Sequence, residues 1–377
     1  MFLSRLFGIL SISSLLRDFF VSMKAAIVIL GNSWVCPYVN TYKSIFERLG
    51  CPYDVILWDR DGCDDSAPVR YSSDKANLAN PVVKAWHYLR YADFIKKRVR
   101  ENGYDRLVVS GPHLAILLSG ILCREYKGRY IIDYRDISVE QHLLLGGIYS
   151  KVLAGSFCNV ISSPGFKAHL PSGYEYLVSH NFNADAAVAS FKGNPAMKSI
   201  AAPIDILTIG YIRNYSSNVK LIESLGGDSR YRLRFVGRGD AAAALQDFAV
   251  SLAAGNVEFN GFYEKNDEAS FVAKCDFINI FFPDDVAHRS IMSNRFYLAL
   301  IHKKPVIVTA GSVQASLVKE YGLGIITVDC RNLDAQIMEF LSGFDYARFC
   351  MKCNELLALF VEEHRALERA VAAFVAP

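Results

Sequence analysis

The feature that most constrains the fold is an alternation of short apolar runs with amphipathic stretches, which occurs twice along the chain. Residues 25–31 read AAIVILG, a run typical of a buried strand, and a glycine loop and an amphipathic stretch at 39–49 follow. The same order begins again at residue 205 with DILTIGYI. Because strands that alternate with helices form parallel sheets covered on both faces, we predict an α/β fold. We expect two doubly wound, Rossmann-like domains that face each other across a cleft.

The length of the chain agrees with two domains. Its 377 residues exceed what one core usually holds, and 52% apolar against 21% charged residues are typical of a globular protein. We predict an N-terminal domain over 23–190, a hinge at 191–204, a C-terminal domain over 205–345 and a last helix at 346–377. We expect that last helix to cross back to the first domain.

Residues 1–22, MFLSRLFGILSISSLLRDFFVS, form a separate apolar extension. The uncharged run at 6–16 is short for a spanning helix, which needs about 20 residues. The segment has three interpretations: a secretory signal, an amphipathic helix on a membrane surface, or an extension upstream of a start at Met23. On the second interpretation, the protein is a peripheral protein of the cytoplasmic membrane.

Charge and cysteine content argue against other classes of protein. The net charge of +3, from 41 basic and 38 acidic residues, gives no sign of a nucleic-acid partner. The nine cysteines are scattered and odd in number, which favours reduced thiols in the cytoplasm. Cys350 and Cys353 form a lone C-x-x-C, which fits helix packing better than zinc binding. We therefore predict no metal site.

Glycine and arginine residues directly follow the predicted strands of the second half. Ligands bind at the carboxyl ends of strands in open parallel sheets, and helix-start amides and guanidinium groups suit a diphosphate. The candidates for diphosphate binding are Gly210, Arg213, Gly237, Arg238, Gly311 and Ser312. Each alone is more often an ordinary turn or a solvated side chain, so only the set favours phosphate. No G-x-G-x-x-G pattern or P-loop is present in the sequence, which disfavours dehydrogenases and NTPases.

The strand ends of the first half carry acid–base groups instead. Asp133 and Asp136 bracket Tyr134 and Arg135, and either carboxylate could deprotonate a sugar hydroxyl if burial raises its pKa. The alternative is an Asp–Arg pair that fixes the loop. His113 follows a Gly-Pro pair as a base or a ligand contact, or as a helix-end histidine bonded to backbone. Lesser candidates in the same loop are Glu140 and His142, and the candidates on the acceptor side are Gly31, Asn32, Ser33 and Asn181.

Three stretches together resemble a known family. These are YDRLVVSGPHLAILLSGILCREYKGRYIIDYRD, the segment YLVSHNFN, and the series FVGRGD, NVEFNGF, CDFINIFF and SNRFYLALIHKKPVIVT. In this order the chain resembles the GT-B fold glycosyltransferases, in particular the family 4-like group of bacterial capsule, O-antigen and exopolysaccharide synthesis. The resemblance covers roughly residues 24–345.

The sequence departs from that family at one informative place. Many members carry two glutamates eight residues apart before the Lys-Pro strand, of which the second holds the ribose. Counted back from Pro305, these positions are Ser290 and Leu298. The nearby Asp284, Asp285 and Tyr297 are candidates to hold the ribose or the sugar instead. Asn294 and Arg295 fit the Asn-Lys pair common in the group, and Arg295 could reach a phosphate.

The resemblance implies a metal-independent hexosyltransferase without a cofactor. It would move a sugar from a nucleotide-diphosphate sugar to a lipid-linked or oligosaccharide acceptor, in the cytoplasm at the inner face of the membrane. Two alternatives stay open: a nucleotide-sugar epimerase or hydrolase of the same fold, and a catalytically silent relative that binds a nucleotide sugar.

Overall fold

The computed structural model describes residues 23–33, 36–60, 62, 66–73, 80–192 and 200–376. The predicted N-terminal extension at 1–22 and residues 193–199 of the predicted hinge lie outside these ranges. The chain divides into two compact units. The first contains the chain up to Ser162, Phe166–Ser179 and the residues from Glu363 onward. The second contains Ser163–Gly165 and His180–Glu362.

The first unit is built on a parallel sheet whose strand order in the described residues is β3-β2-β1-β4-β5-β6-β7. The strand order reverses between β1 and β4, which are parallel neighbours in the sheet. The strands are β1 (Ala25–Val28), β2 (Tyr53–Asp59), β3 (Val69–Ser72), β4 (Arg106–Ser110), β5 (Tyr130–Tyr134), β6 (Cys158–Ile161) and β7 (Tyr176–Val178).

Helices cover both faces of this sheet. They are α1 (Val39–Leu49), α2 (Pro81–Asn102), α3 (Pro112–Leu117), α4 (Ser119–Arg124) and α5 (Leu143–Gly155). Because βαβ crossovers are right-handed, α1, which leads toward β2, lies on one face. The other helices lead in the opposite direction along the sheet and lie on the other face. Apolar side chains of α1 share a core with Leu367, Val371 and Phe374 near the C-terminus.

The second unit is built on a parallel sheet with the order β10-β9-β8-β11-β12-β13. The order reverses between β8 and β11, which pair in parallel. The strands are β8 (Ile204–Ile209), β9 (Tyr231–Val236), β10 (Val257–Asn260), β11 (Phe277–Ile280), β12 (Val306–Thr309) and β13 (Gly324–Thr327). Every residue of β8, β11 and β12 is buried, as expected for strands covered on both faces.

Nine described helices surround the second sheet or extend from it. They are α6 (Ala184–Ser190), α7 (Tyr215–Leu225), α8 (Ala242–Ser251), α9 (Glu268–Lys274), α10 (Val286–Ser290), α11 (Asn294–Ile301), α12 (Val313–Tyr321), α13 (Leu333–Ser342) and α14 (Tyr346–Val375). One apolar core contains residues of α11, α12 and α14, and another contains residues of α7, α8 and α13. The unit boundary falls inside α14, after Glu362.

The two parallel sheets confirm the predicted α/β, doubly wound class, and the structure differs from the sequence prediction in local elements. β3 was not predicted, because Val69–Ser72 is an edge strand whose residues are only partly buried. After β4 the chain forms two short helices, α3 and α4, which are separated at Leu118. The chain before the predicted hinge forms α6. Its N-cap is Asn183, whose side chain accepts a hydrogen bond from the Ala186 N–H at 2.9 Å.

Two kinds of feature are absent from the described ranges. No helix there has an apolar stretch of the length needed to cross a bilayer. No group of three or more His, Cys, Asp or Glu side chains there is arranged to hold a metal ion.

Candidate functional site

Each sheet has one topological switch point, and these are the places where α/β sheets bind ligands. In the second unit the switch point lies between the carboxyl ends of β8 and β11. The guanidinium of Arg295, in the first turn of α11, joins these ends. Its Nε donates to the Ile209 carbonyl oxygen at 2.5 Å, Nη1 to that of Asn279 at 3.3 Å, and Nη2 to that of Tyr211 at 3.2 Å.

Arg295 remains positively charged although burial disfavours its charge and a second cation, Arg213, lies near it. Burial, and secondarily the positive charge of Arg213, lower the pKa of Arg295 to about 10. The group therefore stays protonated at neutral pH. A guanidinium has five N–H donors, and the carbonyls of the described residues occupy three of them. The arrangement can present positive charge and N–H groups to an anion at the switch point.

The glycines predicted to bind diphosphate serve first to bring two loops together. A Cβ on Gly237 would lie 1.9 Å from the Gly210 carbonyl oxygen, and Gly237 has a φ of 135°. The backbone after β8 is also hydrogen-bonded to the end of β9, because the Gly210 N–H donates to the Val236 carbonyl at 2.9 Å. The absence of a side chain at Gly237 is therefore explained by backbone packing without any ligand.

The two predicted arginines of these loops are exposed and stack on aromatic rings. The guanidinium of Arg213 lies 5.3 Å from the Tyr211 ring centroid, and that of Arg238 lies 4.6 Å from the Phe262 ring centroid. Both side chains belong to exposed residues. Both cations therefore remain accessible at the carboxyl edge of the second sheet.

Gly311 and Ser312 form the start of α12. Gly311 has a φ of 75° and Ser312 is the N-cap, whose hydroxyl accepts from the Ala315 N–H at 3.1 Å. The same hydroxyl donates to the Thr309 carbonyl at 2.8 Å. Since its donor and acceptor are both engaged, the Ser312 side chain stabilises the helix end rather than presenting a hydroxyl to a ligand.

The two carboxylates predicted as ribose ligands are engaged in local pairs. Arg289 donates to Asp284 from Nε and, at 2.8 Å, from Nη2, and this hydrogen bonding lowers the pKa of Asp284. Asp285 caps α10, accepting from the His288 N–H at 2.9 Å, and its Oδ2 lies 2.6 Å from His288 Nδ1. Partial burial raises the pKa of Asp285, but these bonds from His288 outweigh it, so the pKa lies below its ordinary value.

Tyr297, the third predicted ribose or sugar ligand, is buried in the core of the second unit. Its hydroxyl lies 2.7 Å from His180 Nδ1, and its ring packs against Phe182 and Phe360. The helical period places Tyr297 on the side of α11 opposite to Arg295. This geometry disfavours a ligand contact for Tyr297.

The two positions that carry glutamate in many relatives contact protein, Ser290 as a buried residue and Leu298 as a partly exposed one. Leu298 packs against the apolar core of the second unit. Ser290 is buried, its hydroxyl donates to the Val286 carbonyl at 2.8 Å, and its own carbonyl accepts from Ser163 Oγ at 2.5 Å. Asn181, predicted on the acceptor side, belongs to the second unit, where its amide donates to Asn294 Oδ1 at 2.9 Å.

In the first unit the switch point lies between β1 and β4. Gly31 and Asn32 follow β1, and the buried Asn32 amide donates to Asp59 Oδ1 at 3.0 Å. Its Oδ1 accepts from the Arg60 N–H at 3.3 Å. Asn32 therefore holds the ends of β1 and β2 together. Ser33 begins the turn before α1, and its carbonyl accepts from the Cys36 N–H at 3.1 Å.

Asp133 and Asp136 have different environments. Asp133 is fully buried; its Oδ1 lies 2.7 Å from Arg135 Nε, and its Oδ2 accepts from Arg135 Nη2 at 2.7 Å. Asp136 is exposed at the carboxyl edge of the sheet. The geometry thus favours the structural alternative for Asp133 and leaves Asp136 the better placed of the two as a base.

His113 lies in the first turn of α3, half-buried at the same edge. Its ring stacks on Tyr88 at 5.3 Å, and its nitrogens lie 3.2 and 3.3 Å from Ser138 Oγ. Burial lowers the pKa of His113; Glu140 opposes this effect, and Lys84 and Arg60 add to it. The buried Glu140 accepts from the Tyr134 hydroxyl at 2.6 Å and orders the loop, whereas His142 is exposed before α5.

Arg60 is a cation that the sequence analysis missed. It directly follows β2, and its guanidinium lies 4.6 Å from the buried Trp58 ring and 6.0 Å from the Tyr88 ring. Its charge acts on both His113 and Cys36. The rule that selects residues after strands would have found Arg60 if it had been applied to β2 as well.

The comparisons with known proteins identify the fold. No protein-family profile and no curated protein sequence matches the chain. Among solved structures, the chain is similar to the sucrose-phosphate synthase of Thermosynechococcus elongatus, with a TM-score of 0.63 and 14% identity over 93% of this chain and 97% of that one. It is similar to a glycosyltransferase of Rickettsia africae ESF-5, with a TM-score of 0.63 and 15% identity over 92% and 97%.

A third similar structure is Anabaena Alr3699/HepE in complex with UDP, with a TM-score of 0.60 and 13% identity over 93% of this chain and 100% of that one. At these identities the likeness concerns the fold. The two parallel-sheet units together with these neighbours show that the chain has the two-domain GT-B fold.

Proposed function

We propose that the protein is a glycosyltransferase that uses a nucleotide-diphosphate sugar as donor. The observation that carries the proposal is Arg295, a charged guanidinium that joins the ends of β8 and β11 at the switch point of the second sheet. Arg213 and Arg238 add accessible cations at the same edge. The structural neighbours include a glycosyltransferase and a protein in complex with UDP, which supports the donor class.

In this proposal the second unit stabilises the leaving group. As the glycosidic bond breaks, negative charge develops on the nucleoside diphosphate, and Arg295, Arg213 and backbone amides stabilise that charge without a metal ion or cofactor. Fixed donors cost no reorganisation during the reaction, so they lower the barrier more than mobile water does. Arg295 suits this role because its three carbonyl contacts fix its position.

The first unit supplies the acceptor side. If the reaction inverts the anomeric centre, a base must take the proton of the attacking hydroxyl. Asp136 is our first assignment for that base, with His113 as the second. We propose a lipid-linked or oligosaccharide acceptor of bacterial surface polysaccharide synthesis, and a cytoplasmic location at the membrane with residues 1–22 as one point of contact.

Donor binding gives the direct test. Isothermal titration with UDP, GDP, TDP and ADP should show one nucleotide that binds wild type, and Arg213→Ala should weaken it about tenfold through loss of one charge-assisted contact. Arg232→Ala is the matched control, because Arg232 is also exposed but pairs with Glu258 on the neighbouring strand β10. If none of the four nucleotides binds, the transferase proposal fails.

The loss of the family carboxylate can be tested separately. Leu298→Glu restores a carboxylate at the ribose position that the resemblance implies, and we expect it to tighten nucleotide binding. Leu317→Glu, which also alters a partly buried leucine against the same core, should not. An unchanged affinity in Leu298→Glu would mean that the ribose lies elsewhere, for example against Asp284.

The two alternative functions predict different products. An epimerase or hydrolase would release free sugar or epimer from the donor without any acceptor. A silent relative would bind the nucleotide with no turnover, and the absence of glutamate at 290 and 298 is the observation that favours it.

A further inference from the structure

Two adjacent leucines at the start of α5 are almost fully exposed. Leu143 is 93% exposed and Leu144 is 84% exposed, and they are the first two residues of the helix. The first turn of a solvated helix usually carries polar groups, since its N–H donors need partners. The described residues provide no apolar contact that covers these two side chains.

A second exposed apolar stripe lies on α2. Val82 is 76% exposed, Trp86 is 50% exposed and Leu89 is 57% exposed. Their spacing of four and three residues places all three on one side of the helix. The opposite side of α2 carries the buried Tyr91, Ile95 and Val99, which face the sheet. The helix is therefore apolar toward solvent near its N-terminus as well as toward the core.

The two stretches lie at the same edge of the first unit. Both helices lie on one face of the sheet, and both begin at its carboxyl edge, since each follows a strand. His113 connects them: its ring stacks on Tyr88 of α2 and its nitrogens approach Ser138, five residues before Leu143. We call the five residues Val82, Trp86, Leu89, Leu143 and Leu144 the apolar edge.

The charge on α2 beside its apolar stripe is positive. Residues 81–92 of α2 contain Lys84 and Arg90 and no carboxylate, and the first turn of α5 has no acidic residue. The Arg90 guanidinium lies 4.8 Å from the Trp86 ring. Beside them is an open cavity of about 580 Å³ whose lining includes Arg90, Asp93 and Lys97. Exposed leucine and tryptophan flanked by cations suit the interface of an anionic bilayer.

We propose that the apolar edge docks the first unit on an anionic lipid bilayer. Leu143, Leu144 and Trp86 enter the interface, while Lys84 and Arg90 contact lipid phosphates. The inference rests on the proposed function in one respect: docking would bring the acceptor side of the enzyme to a lipid-linked substrate. It assigns membrane contact to described residues, in addition to the segment 1–22.

Vesicle binding of the full chain tests this inference. We would measure co-sedimentation with phosphatidylcholine vesicles and with mixed phosphatidylcholine–phosphatidylglycerol vesicles, together with quenching of tryptophan fluorescence by brominated lipid. We expect wild type to prefer the anionic vesicles, and Leu143→Asp with Leu144→Asp to lower the partition coefficient on the order of tenfold or more. In a Trp34→Phe background, Trp86→Phe should remove most of the quenching, because the one other tryptophan, Trp58, is buried.

Val250→Asp is the matched control, since Val250 is 75% exposed on α8 of the second unit. It should bind vesicles like wild type. Binding of the double aspartate variant equal to wild type would overturn the inference and assign membrane binding to another segment. Absence of binding by wild type, or dimerisation that the variant abolishes, would also overturn it. Nucleotide titration on the same samples keeps this failure distinct from a failure of the donor proposal.

Discussion

Asp133 and Arg135, at the end of β5, form a two-point ion pair whose carboxylate is fully buried. Arg135 also donates to Ser179 Oγ at 3.0 Å, and its guanidinium lies 4.3 Å from the Tyr38 ring. The pair therefore connects the ends of β5 and β7 with the start of α1. If one partner is removed, the buried charge of the other loses its counter-charge.

Replacing Asp133 with Asn should destabilise the first unit. The substitution leaves the Arg135 cation without its buried counter-charge, which typically costs about 3–5 kcal/mol. We expect a lower thermal midpoint in calorimetry. Asp136→Asn should change stability by about 0.5 kcal/mol or less, because the group is exposed, yet lower the transfer rate about 10²- to 10⁴-fold with donor affinity retained. Full activity in Asp136→Asn would exclude it as the base.

Arg295→Lys should reduce both stability and nucleotide affinity. Lysine keeps the charge but cannot reach three carbonyls at once, so at least one of the strand ends loses a donor at a cost of about 1–3 kcal/mol. Thermal denaturation and isothermal titration measure the two effects. Arg232→Lys should alter neither. Unchanged nucleotide affinity in a folded Arg295→Lys protein would assign Arg295 a structural role alone.

The histidine at the first switch point should make stability depend on pH. Burial holds the pKa of His113 below its ordinary value, so the unfolded chain binds a proton more readily than the folded one. Its contribution to stability is present above the unfolded value of about 6.5 and is lost as the pH falls below it toward the folded pKa. His113→Gln should flatten the fall in thermal midpoint between about pH 7 and pH 5. A slope identical to wild type would contradict this prediction.

Gly237→Ala should disrupt the second unit. Its Cβ would lie 1.9 Å from the Gly210 carbonyl oxygen, a backbone atom that cannot move away without breaking the bond from Gly210 N–H to β9. We expect loss of several kcal/mol, or insoluble protein, in expression and thermal denaturation. Gly147→Ala, in α5, meets no atom within 4 Å and should stabilise the protein by up to about 1 kcal/mol.

Periodicity alone predicted most of the fold. Buried β runs such as Ala25–Val28 and Ile204–Ile209 read as strands because both faces of a parallel sheet are covered and every side chain is apolar. β3 and α6 were missed, since the first is a half-exposed edge strand and the second lies in an Ala-rich stretch without a clear period. The apolar periodicity of a segment predicts its secondary structure poorly where the segment is only partly buried.

The sequence by itself determined the alternation of strands and helices, and hence which residues follow strands and face the carboxyl edge. Only the tertiary structure decided what each of them does there. Arg295 and Tyr297 are two residues apart on α11, yet one joins two strand ends and the other lies in the core beside His180. Likewise Asp133 is buried and Asp136 is exposed. The burial and the partners of a side chain depend on residues distant in the chain, and the local spacing of residues carries no information about them.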